Sequence, residues 1–411
     1  MSALSPKAQL LPIIDDPRHD SYDVVIVGGA IIGSSVAWWL SRNPDFDGRI
    51  LVLERDTTYE FASTSHTNSC MRQQFSNEVN VRISQFGAEF VRNFRSYMGD
   101  DPEVPELAVD HFGYMYLAAD DAFAATLRAN QQIQASFGAG TKVMTPEEIK
   151  ADYPFYEVGD LVLGCHNLID EGYFDGGTMF HWWRRKARQN GVEYIRGEVT
   201  GLERSGARIT GVTLASGRTI ACGTVVNAAG PRAVEVARMA GTELPVEPRK
   251  RYTFIFTAED PLDRALPLTI DPSGVHVRTD GDAYMTGCTP DHDPAVAYDD
   301  FAMDPDIFED KVWPALAHRI PAFERIKVTN RWAGHYAHNR LDQNVIIGPH
   351  DEVENLVFTV GFSGHGLQQS PAIGRGASEL IAYGEYRSLD LSQLGYRRVV
   401  DNEPFLETAI I

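Results

Sequence analysis

The sequence predicts a mixed α/β fold in which a domain with a parallel sheet is interrupted by a second domain with an antiparallel sheet. The chain begins with a buried strand pattern, a glycine turn, a helical pattern and a second buried strand, which together form a βαβ unit. Its middle part alternates short strand patterns with Asp-Gly and Pro-Ser-Gly turns, as antiparallel sheets do. At 411 residues the chain is too long for one simple core, so more than one domain is expected.

The βαβ unit lies within residues 22–54. Residues 22–27 are rich in β-branched side chains, which is typical of a strand buried on both faces of a parallel sheet. Apolar side chains follow the glycine turn at helical spacing as far as Leu40, and residues 49–54 predict the next buried strand. The residues before this unit contain three prolines and no periodic pattern, so we predict a loose N-terminal leader at 1–21.

Later strand patterns are shorter and are separated by glycine turns. An antiparallel meander is predicted by residues 194–202, 208–214 and 218–221. Further strands are predicted at residues 222–227, 274–278, 283–287 and 356–360. A helix is predicted at residues 371–383.

Charge and composition exclude several classes of protein. The net charge is −20, from 37 basic and 57 acidic residues, which argues against a surface for nucleic acid or anionic membranes. No apolar run reaches the roughly 18 residues that a membrane span needs, and no export signal is visible at the N-terminus. We therefore expect a cytoplasmic protein. The four widely spaced cysteines form neither a zinc-site nor a disulfide pattern, so no metal site is predicted.

The strongest motif is VIVGGAIIG at residues 25–33. Gly28 allows the tight turn from strand to helix, and Gly33 lets the helix pack closely on the strand. The second position of the fingerprint, where the backbone approaches a pyrophosphate, is Ala30 here, which adds one methyl group. Glu54 ends the next strand 21 residues after Gly33, where a carboxylate can accept hydrogen bonds from ribose hydroxyls. The motif predicts a bound dinucleotide, NAD or FAD, against the alternative of a purely structural glycine turn.

Three further segments favour FAD over NAD. Residues 225–230 (VVNAAG) are a buried strand ending in small residues, where a second backbone segment can pass close to a nucleotide. Residues 361–366 (GFSGHG) are a glycine-dense turn directly before a helix, where N–H groups can meet an oxygen-rich ring edge. Residues 62–69 (ASTSHTNS) form a small polar run that we expect to lie between them in space. A cofactor contacted from both ends of the chain is long and extended, as FAD is.

These motifs together resemble a known family. GGAIIG, the pair Glu54-Arg55, AST…RQQFS, VVNAAG, the segment at 332–348 and GFSGHGLQ resemble the D-amino-acid oxidase/sarcosine oxidase superfamily, nearest to dimethylglycine dehydrogenase and sarcosine oxidase. The resemblance runs from about Tyr22 to Tyr383. It implies an interrupted Rossmann-type FAD domain and a mixed β-sheet domain that covers the isoalloxazine ring.

On this basis we predict how the chain divides into domains and which residues bind the cofactor. The FAD-binding domain is predicted at 22–105, 155–245 and 335–411, and the substrate-binding β-sheet domain at 106–154 and 246–334. The predicted FAD-binding residues are Gly28, Gly29, Ala30, Ile32, Gly33, Glu54, Arg55, Ser63, Thr64, Ser65, His66, Val199, Ala229, Gly230, Gly361, Gly364, His365, Gly366, Leu367 and Gln368.

The substrate residues are predicted from two sources. His276 and Arg278 alternate on one face of a predicted strand, so both can point at the flavin ring or, as the alternative, into solvent. The resemblance implies that Arg72 binds a substrate carboxylate and that Tyr336 lines the substrate cavity; the alternatives are a surface arginine and a core tyrosine. Gln368 stands where sarcosine oxidases place a lysine that helps to hold the carboxylate.

The family also attaches its flavin covalently in some members. In dimethylglycine dehydrogenase-like proteins a histidine after the second strand carries the flavin, and His66 resembles that position, although the usual tryptophan before it is Ser65 here. The alternative at His66 is a non-covalent contact. Gly334 occupies the position of the cysteine that carries the flavin in monomeric sarcosine oxidases, so that linkage is not expected.

The resemblance implies oxidation of a secondary or tertiary amino acid, such as sarcosine, dimethylglycine or iminodiacetate. The C–N bond would be oxidised by hydride transfer to flavin N5, giving an imine that hydrolyses, with oxygen as the expected acceptor and hydrogen peroxide as the product. Two alternatives stay open: a dehydrogenase that passes electrons to a protein or quinone, and a non-catalytic assembly factor that keeps FAD for stability. The sequence does not indicate an oligomeric state.

Overall fold

In the computed structural model, which describes residues 15–408, the first strand, Ser21–Val27, is buried between two layers of helices. Successive side chains of a strand point to opposite faces. Val24 and Ile26 pack on the side of the helices Ile31–Ser41 and Gly366–Tyr383, whereas Val25 and Val27 pack on the side of the helix Ala233–Met239. The continuous apolar pattern therefore predicted burial on both faces correctly. Residues 1–14 of the predicted leader lie outside the described residues.

The first sheet has eight strands and is parallel at its centre. Ser21–Val27 pairs in parallel with Ile50–Glu54 on one side and with Thr219–Asn227 on the other. Thr219–Asn227 also pairs in parallel with Leu356–Val360, which in turn pairs with Ile346–Pro349 in the antiparallel direction. The remaining strands of this sheet are Glu193–Arg196, Val199–Ser205 and Arg208–Leu214.

The predicted meander was wrong in detail. The pattern at 194–202 is two strands, because Glu193–Arg196 pairs in parallel with Ile50–Glu54 at one edge of the sheet, and only Val199–Ser205 enters the antiparallel part. The patterns at 218–221 and 222–227 are one strand, Thr219–Asn227. Its first residues pair with Arg208–Leu214, and from Ala221 onwards it pairs with Ser21–Val27.

The last long helix begins earlier than predicted. It spans Gly366–Tyr383, with Pro371 inside it. Proline lacks the N–H that would bond to the carbonyl four residues before. Here the Leu367 carbonyl oxygen accepts a hydrogen bond from the Ser370 hydroxyl (2.7 Å), which replaces the missing bond. The helix therefore continues through the proline, at which the sequence pattern predicted its start.

The second sheet also has eight strands and forms a separate layer. Its strands, in hydrogen-bonded order, are Ile326–Asn339, Val246–Ala258, Ala283–Cys288, Val275–Asp280, Leu268–Ile270, Tyr114–Ala118, Leu163–Asn167 and Lys142–Met144. All neighbours are antiparallel except Leu268–Ile270 and Tyr114–Ala118. Leu163–Asn167 belongs to this sheet, although it falls within the range 155–245 that we predicted for the other domain; the division into domains itself stays a prediction.

Smaller elements complete the described chain. A three-stranded sheet consists of Cys70–Met71, Gly172–Phe174 and Val109–Asp110. The other α-helices are Glu78–Arg92, Phe94–Tyr97, Asp121–Ser136, Pro146–Asp152, Gly176–Gln189, Trp313–Arg319 and Arg397–Val400. Within residues 15–408 no helix combines the length and the apolar character needed to cross a bilayer, and no cluster of three or more His, Cys, Asp or Glu side chains could hold a metal ion.

Gly33 is required by the contact between the first helix and the glycine turn. A Cβ atom at this position would lie 1.9 Å from the Gly28 carbonyl oxygen, and both are parts of the backbone, which cannot move aside easily. We expect Gly33→Ala to lower the free energy of unfolding by about 1–3 kcal/mol or more, measured by urea titration.

Gly201→Ala is the matched control for this test. A Cβ atom at Gly201 would meet only Thr213 Cβ at 3.6 Å, an ordinary contact, so the free energy of unfolding should fall little or rise by up to about 1 kcal/mol. Equal losses in the two variants would contradict the assignment of a steric role to Gly33.

Candidate functional site

A cavity of about 500 Å³ lies where segments from both ends of the chain meet. Its walls include the glycine turn after Ser21–Val27, the short 3-10 helix Ser63–His66, the small residues after Thr219–Asn227 and the turn before Gly366–Tyr383. The volume is within the range of small-molecule and cofactor sites, about 300–1,000 Å³.

Most of the residues predicted from the sequence line this cavity. They are Gly28, Ala30, Ile32, Glu54, Arg55, Ser63, Thr64, His66, Arg72, Val199, Ala229, Gly230, His276, Tyr336, Gly364, His365, Gly366, Leu367 and Gln368. The predicted residues outside the lining are Gly29, Gly33, Ser65, Gly361 and Arg278. Gly29 and Ser65 are each bonded to a residue that lines the cavity. The Gly29 N–H donates to the Glu54 carboxylate (2.9 Å), and the Ser65 hydroxyl donates to the Tyr59 carbonyl oxygen (2.6 Å).

One end of the cavity is formed by the glycine turn and Glu54. Gly28 has a φ of +100°, and a Cβ atom there would lie 2.4 Å from the Ala228 carbonyl oxygen, so only glycine fits. The Glu54 carboxylate accepts a hydrogen bond from the N–H of Gly29 on one oxygen and from the N–H of Asp56 (2.9 Å) on the other. Burial raises the pKa of Glu54, and these two N–H groups oppose that effect. The Tyr59 hydroxyl beside them is buried without a hydrogen-bond partner among the described residues.

The other end is formed around Arg72, which is only 2% exposed. Its guanidinium donates to the Gln74 carbonyl oxygen (2.9 Å) and to His365 Nε2 (2.9 Å), and it lies 4.2 Å from the centre of the Phe75 ring. Its backbone N–H donates to Gln368 Oε1 (2.8 Å). The arginine is therefore held at both its backbone and its guanidinium.

Two histidines at this end are uncharged at neutral pH. Burial, and then the nearby Arg72, lowers the pKa of His365 well below its usual value. Since Nε2 of His365 accepts from Arg72, we assign its proton to Nδ1. Burial lowers the pKa of His276 to about 4, with smaller contributions from Arg278 and Arg251, and the Asn68 side-chain amide donates to His276 Nε2 (2.9 Å).

Tyr336 lies near two arginines, Arg72 and Arg251, whose charges both act on its hydroxyl. The Arg251 guanidinium is 4.7 Å from the centre of the Tyr336 ring and forms an ion pair with Asp293 through contacts of 2.9 and 3.0 Å. A Cβ atom at Gly364 would lie 2.5 Å from the Tyr336 ring, so glycine lets the turn approach this ring closely. Burial raises the pKa of Tyr336, which therefore keeps its hydroxyl proton.

Arg278 does not reach the cavity. Its guanidinium donates to Asp280 (2.8 Å) and to the Thr279 carbonyl (2.7 Å), and it lies 5.2 Å from the centre of the Tyr173 ring. Strand alternation places His276 and Arg278 on the same face, but the longer arginine side chain extends away from the cavity to these partners. The pattern predicted the face of the sheet and could not predict the reach of the side chain.

Several lining residues were not predicted. The Phe301 ring stacks on His335 (4.1 Å between centres) and lies 6.1 Å from His66. Tyr298 lies under the Arg232 guanidinium, at 4.5 Å. Tyr298 and Phe301 belong to an irregular loop with no periodic pattern, so nothing in the sequence marked them. Arg232 follows the predicted Gly230 closely, and this proximity is the only sequence signal for it.

Comparisons with known proteins identify the family to which the chain belongs. The family model described as DAO, FAD dependent oxidoreductase, matches residues 23–380. The FAD-dependent oxidoreductase domain-containing protein 1 of Bos taurus is 38% identical over an alignment of 424 residues, which covers 95% of this chain and 87% of that one. Sarcosine oxidase subunit beta of Arthrobacter sp. is 24% identical over an alignment of 398 residues, which covers 90% of this chain and 89% of that one.

Among solved structures, L-proline dehydrogenase from P. horikoshii superposes with a TM-score of 0.82 at 28% identity, covering 93% of this chain and 99% of that one. The family resemblance drawn from the motifs, with FAD as the cofactor, is confirmed by the family match. The chain belongs to the DAO family of FAD-dependent oxidoreductases.

Proposed function

We propose that this protein oxidises the C–N bond of a secondary or tertiary amino acid, such as an N-substituted glycine, and that Arg72 binds the substrate carboxylate. The observation that carries the proposal is the Arg72 guanidinium itself, which lines the cavity while being almost completely buried. A guanidinium and a carboxylate form a strong, directional pair in such a desolvated place. Sarcosine oxidase subunit beta and L-proline dehydrogenase, whose names point to secondary amino acids, are relatives in sequence and structure.

The residues present fit FAD as the cofactor. At the Glu54 end, the glycine turn offers the N-terminus of the helix Ile31–Ser41, whose free N–H groups and positive dipole suit a pyrophosphate. At the Arg72 end, the close approach of Gly364 to Tyr336 shapes a second, narrow wall. The lining residues predicted from the sequence would hold the cofactor between these two ends. When bound, FAD accepts the hydride that leaves the carbon next to the amine nitrogen.

The charges around Arg72 favour an uncharged amine. Arg72 and Arg251 are cations near Tyr336, and His276 and His365 are neutral because burial lowers the pKa of each. A protonated amine would be repelled by the guanidinium groups, whereas a neutral amine keeps the lone pair that assists loss of hydride from the neighbouring carbon. These residues therefore need only orient the substrate and keep it deprotonated, and no acid–base pair is required.

Gln368 supports this role of Arg72 and adds no second cation. Its Oε1 accepts a hydrogen bond from the backbone N–H of Arg72, so it fixes the backbone position from which the Arg72 side chain extends. In the absence of the lysine that sarcosine oxidases carry at this place, the substrate carboxylate depends on Arg72. We propose that Tyr336 forms the wall opposite and limits how the amine substituent can lie.

We propose oxygen as the acceptor of the electrons, with hydrogen peroxide as the product. A second candidate is a dehydrogenase that reduces a protein or quinone. Two observations favour it: the strand Ala283–Cys288 contains no lysine of the kind that activates oxygen in sarcosine oxidases, and L-proline dehydrogenase is similar in structure.

We expect the flavin absorption of the purified protein to bleach when sarcosine, dimethylglycine, iminodiacetate or L-proline is added without oxygen. Bleaching by at least one of these amines, followed with a visible spectrum, would support the substrate class. Absence of bleaching with the whole panel would contradict the proposal and favour a non-catalytic role. On admission of air, one peroxide per amine identifies an oxidase, and recovery of colour only with a quinone identifies a dehydrogenase.

We expect Arg72→Lys to raise KM for the reducing amine by about 30-fold, because lysine cannot form the two parallel hydrogen bonds and about 2 kcal/mol of binding is lost. Steady-state kinetics measure the change. Arg278→Lys is the matched control, since this guanidinium is equally buried but lies outside the cavity, and its KM should stay within about twofold of the wild type. An equal rise in both variants would contradict the assignment of the carboxylate to Arg72.

We expect FAD to be released when the protein is precipitated with acid, so that the yellow colour stays in the supernatant. His66 lines the cavity, but its Nδ1 interacts with the Ala62 carbonyl oxygen (3.1 Å), and the tryptophan that accompanies covalent attachment in relatives is Ser65 here. A yellow pellet that becomes colourless in His66→Gln would show instead that His66 carries the flavin covalently.

A further inference from the structure

Glu171 is a fully buried carboxylate that does not line the cavity. It lies in the turn between the strands Leu163–Asn167 and Gly172–Phe174. One of its oxygens accepts the backbone N–H of Gln73 (2.6 Å) and the side-chain amide of Asn167 (2.9 Å), and the other accepts the side-chain amide of Gln74 (2.9 Å). Two of the three donors therefore belong to residues that directly follow Arg72.

The bonds to Glu171 reach Arg72 through this short loop. The Gln74 carbonyl oxygen accepts from the Arg72 guanidinium at 2.9 Å, and the next side chain, Phe75, lies against the same guanidinium. The position of Gln74 thus determines where the guanidinium is held. Since Glu171 binds Gln73 through its backbone and Gln74 through its side chain, it determines the position of that loop.

The three groups bonded to the Glu171 carboxylate are all hydrogen-bond donors, so both of its oxygens must act as acceptors. Burial raises the pKa of Glu171 to about 7, opposed by the hydrogen bonds from Gln74, Gln73 and Asn167 and by the charge of Arg72. A glutamine of the same size would present an NH₂ group to one of these donors, and two donors facing each other cannot bond. In its ionised form the Glu171 carboxylate also carries a negative charge that offsets the burial of the guanidinium nearby.

We propose that Glu171 is a positioning residue, which holds residues 73–74 so that Arg72 presents its guanidinium to the substrate carboxylate. This inference rests on the proposed function, in which Arg72 binds that carboxylate. Glu171 touches neither the cavity nor the substrate, so its effect passes through Gln74 and Arg72.

The test separates recognition of the carboxylate from general stability. The probe is methoxyacetate, which has the shape of sarcosine with an ether oxygen in place of the amine and cannot be oxidised at nitrogen. Methoxyacetamide has the same shape without the charge. Each is titrated into the FAD-loaded protein, and binding is followed by the change in the flavin absorption spectrum. The proteins are the wild type, Glu171→Gln, Arg72→Lys and Glu379→Gln.

Glu379→Gln controls for the loss of any buried carboxylate. Glu379 is 7% exposed and, among residues 15–408, accepts hydrogen bonds from the backbone N–H groups of Arg387 (2.8 Å) and Ser388 (3.2 Å) and from the Ser388 hydroxyl. It lies on the helix Gly366–Tyr383, outside the lining of the cavity. The variant should lose stability as Glu171→Gln does, while binding both probes with the wild-type affinity.

We expect Glu171→Gln to raise the Kd for methoxyacetate about tenfold and to leave the Kd for methoxyacetamide within about twofold of the wild type. Unchanged binding of methoxyacetate, or an equal loss for both probes, would overturn the inference. If Arg72→Lys also left methoxyacetate binding unchanged, the proposed role of Arg72 would be wrong, which is a separate outcome. If Glu171→Gln does not fold, Gln74→Met removes one of the same bonds, and its effect on the two probes is judged by the same criteria.

Discussion

The Glu54 end of the cavity depends on one constraint of the first sheet, namely that parallel strands end at the same edge. The register pairs Val27 with Leu53 and with Asn227, and Asn227 with Phe358. The residues that follow these four strands, from the glycine turn to the turn before Gly366–Tyr383, therefore emerge side by side although they are far apart in the chain. Ligands of open α/β sheets bind at this edge. The cavity is a consequence of the pairing.

The Arg72 end of the cavity depends on a different constraint, the burial of a charged guanidinium. A cation removed from water is tolerated only where hydrogen bonds and opposite charge offset the loss of hydration. The Arg72 guanidinium donates hydrogen bonds to two acceptors, the Gln74 carbonyl oxygen and His365. It also lies against the face of the Phe75 ring and attracts the Glu171 carboxylate electrostatically. His365 can accept this hydrogen bond from Arg72 only when it is neutral, and its lowered pKa keeps it neutral. Burial of His365, and then the charge of Arg72, together keep this histidine neutral.

Sequence spacing predicted which residues meet at the Glu54 end of the cavity, because that end is built from local features. A glycine turn after a buried strand and an acid at the end of the next strand have a spacing that can be counted, and Gly28 and Glu54 both line the cavity. The start of the last helix was mispredicted because the compensating bond from Ser370 to Leu367 cannot be seen in a pattern that treats Pro371 as a helix breaker.

The Arg72 end of the cavity was harder to predict, because the reach of side chains and contacts between loops decide which residues line it. His276 and Arg278 have the same periodicity, yet only His276 lines the cavity, and Phe301 comes from a loop with no pattern at all. Glu171 could not be found from sequence spacing, since its link to Gln73 spans 98 positions and is made by backbone and amide groups that many residues could supply.

The bonds around Arg72 also explain how a single arginine can suffice for a small substrate. A free arginine loses about 2 kcal/mol of rotamer entropy when it is ordered, and a ligand that had to order it would lose that much affinity. Here the backbone N–H is held by Gln368 and the guanidinium by Gln74 and His365 before any ligand binds. The entropy is lost during folding, so the full strength of the ion pair remains for the carboxylate. In the proposed function, a rigid anchor of this kind would fix the substrate by its carboxylate, and the number of bonds between the carboxylate and the amine would then set the position of the amine.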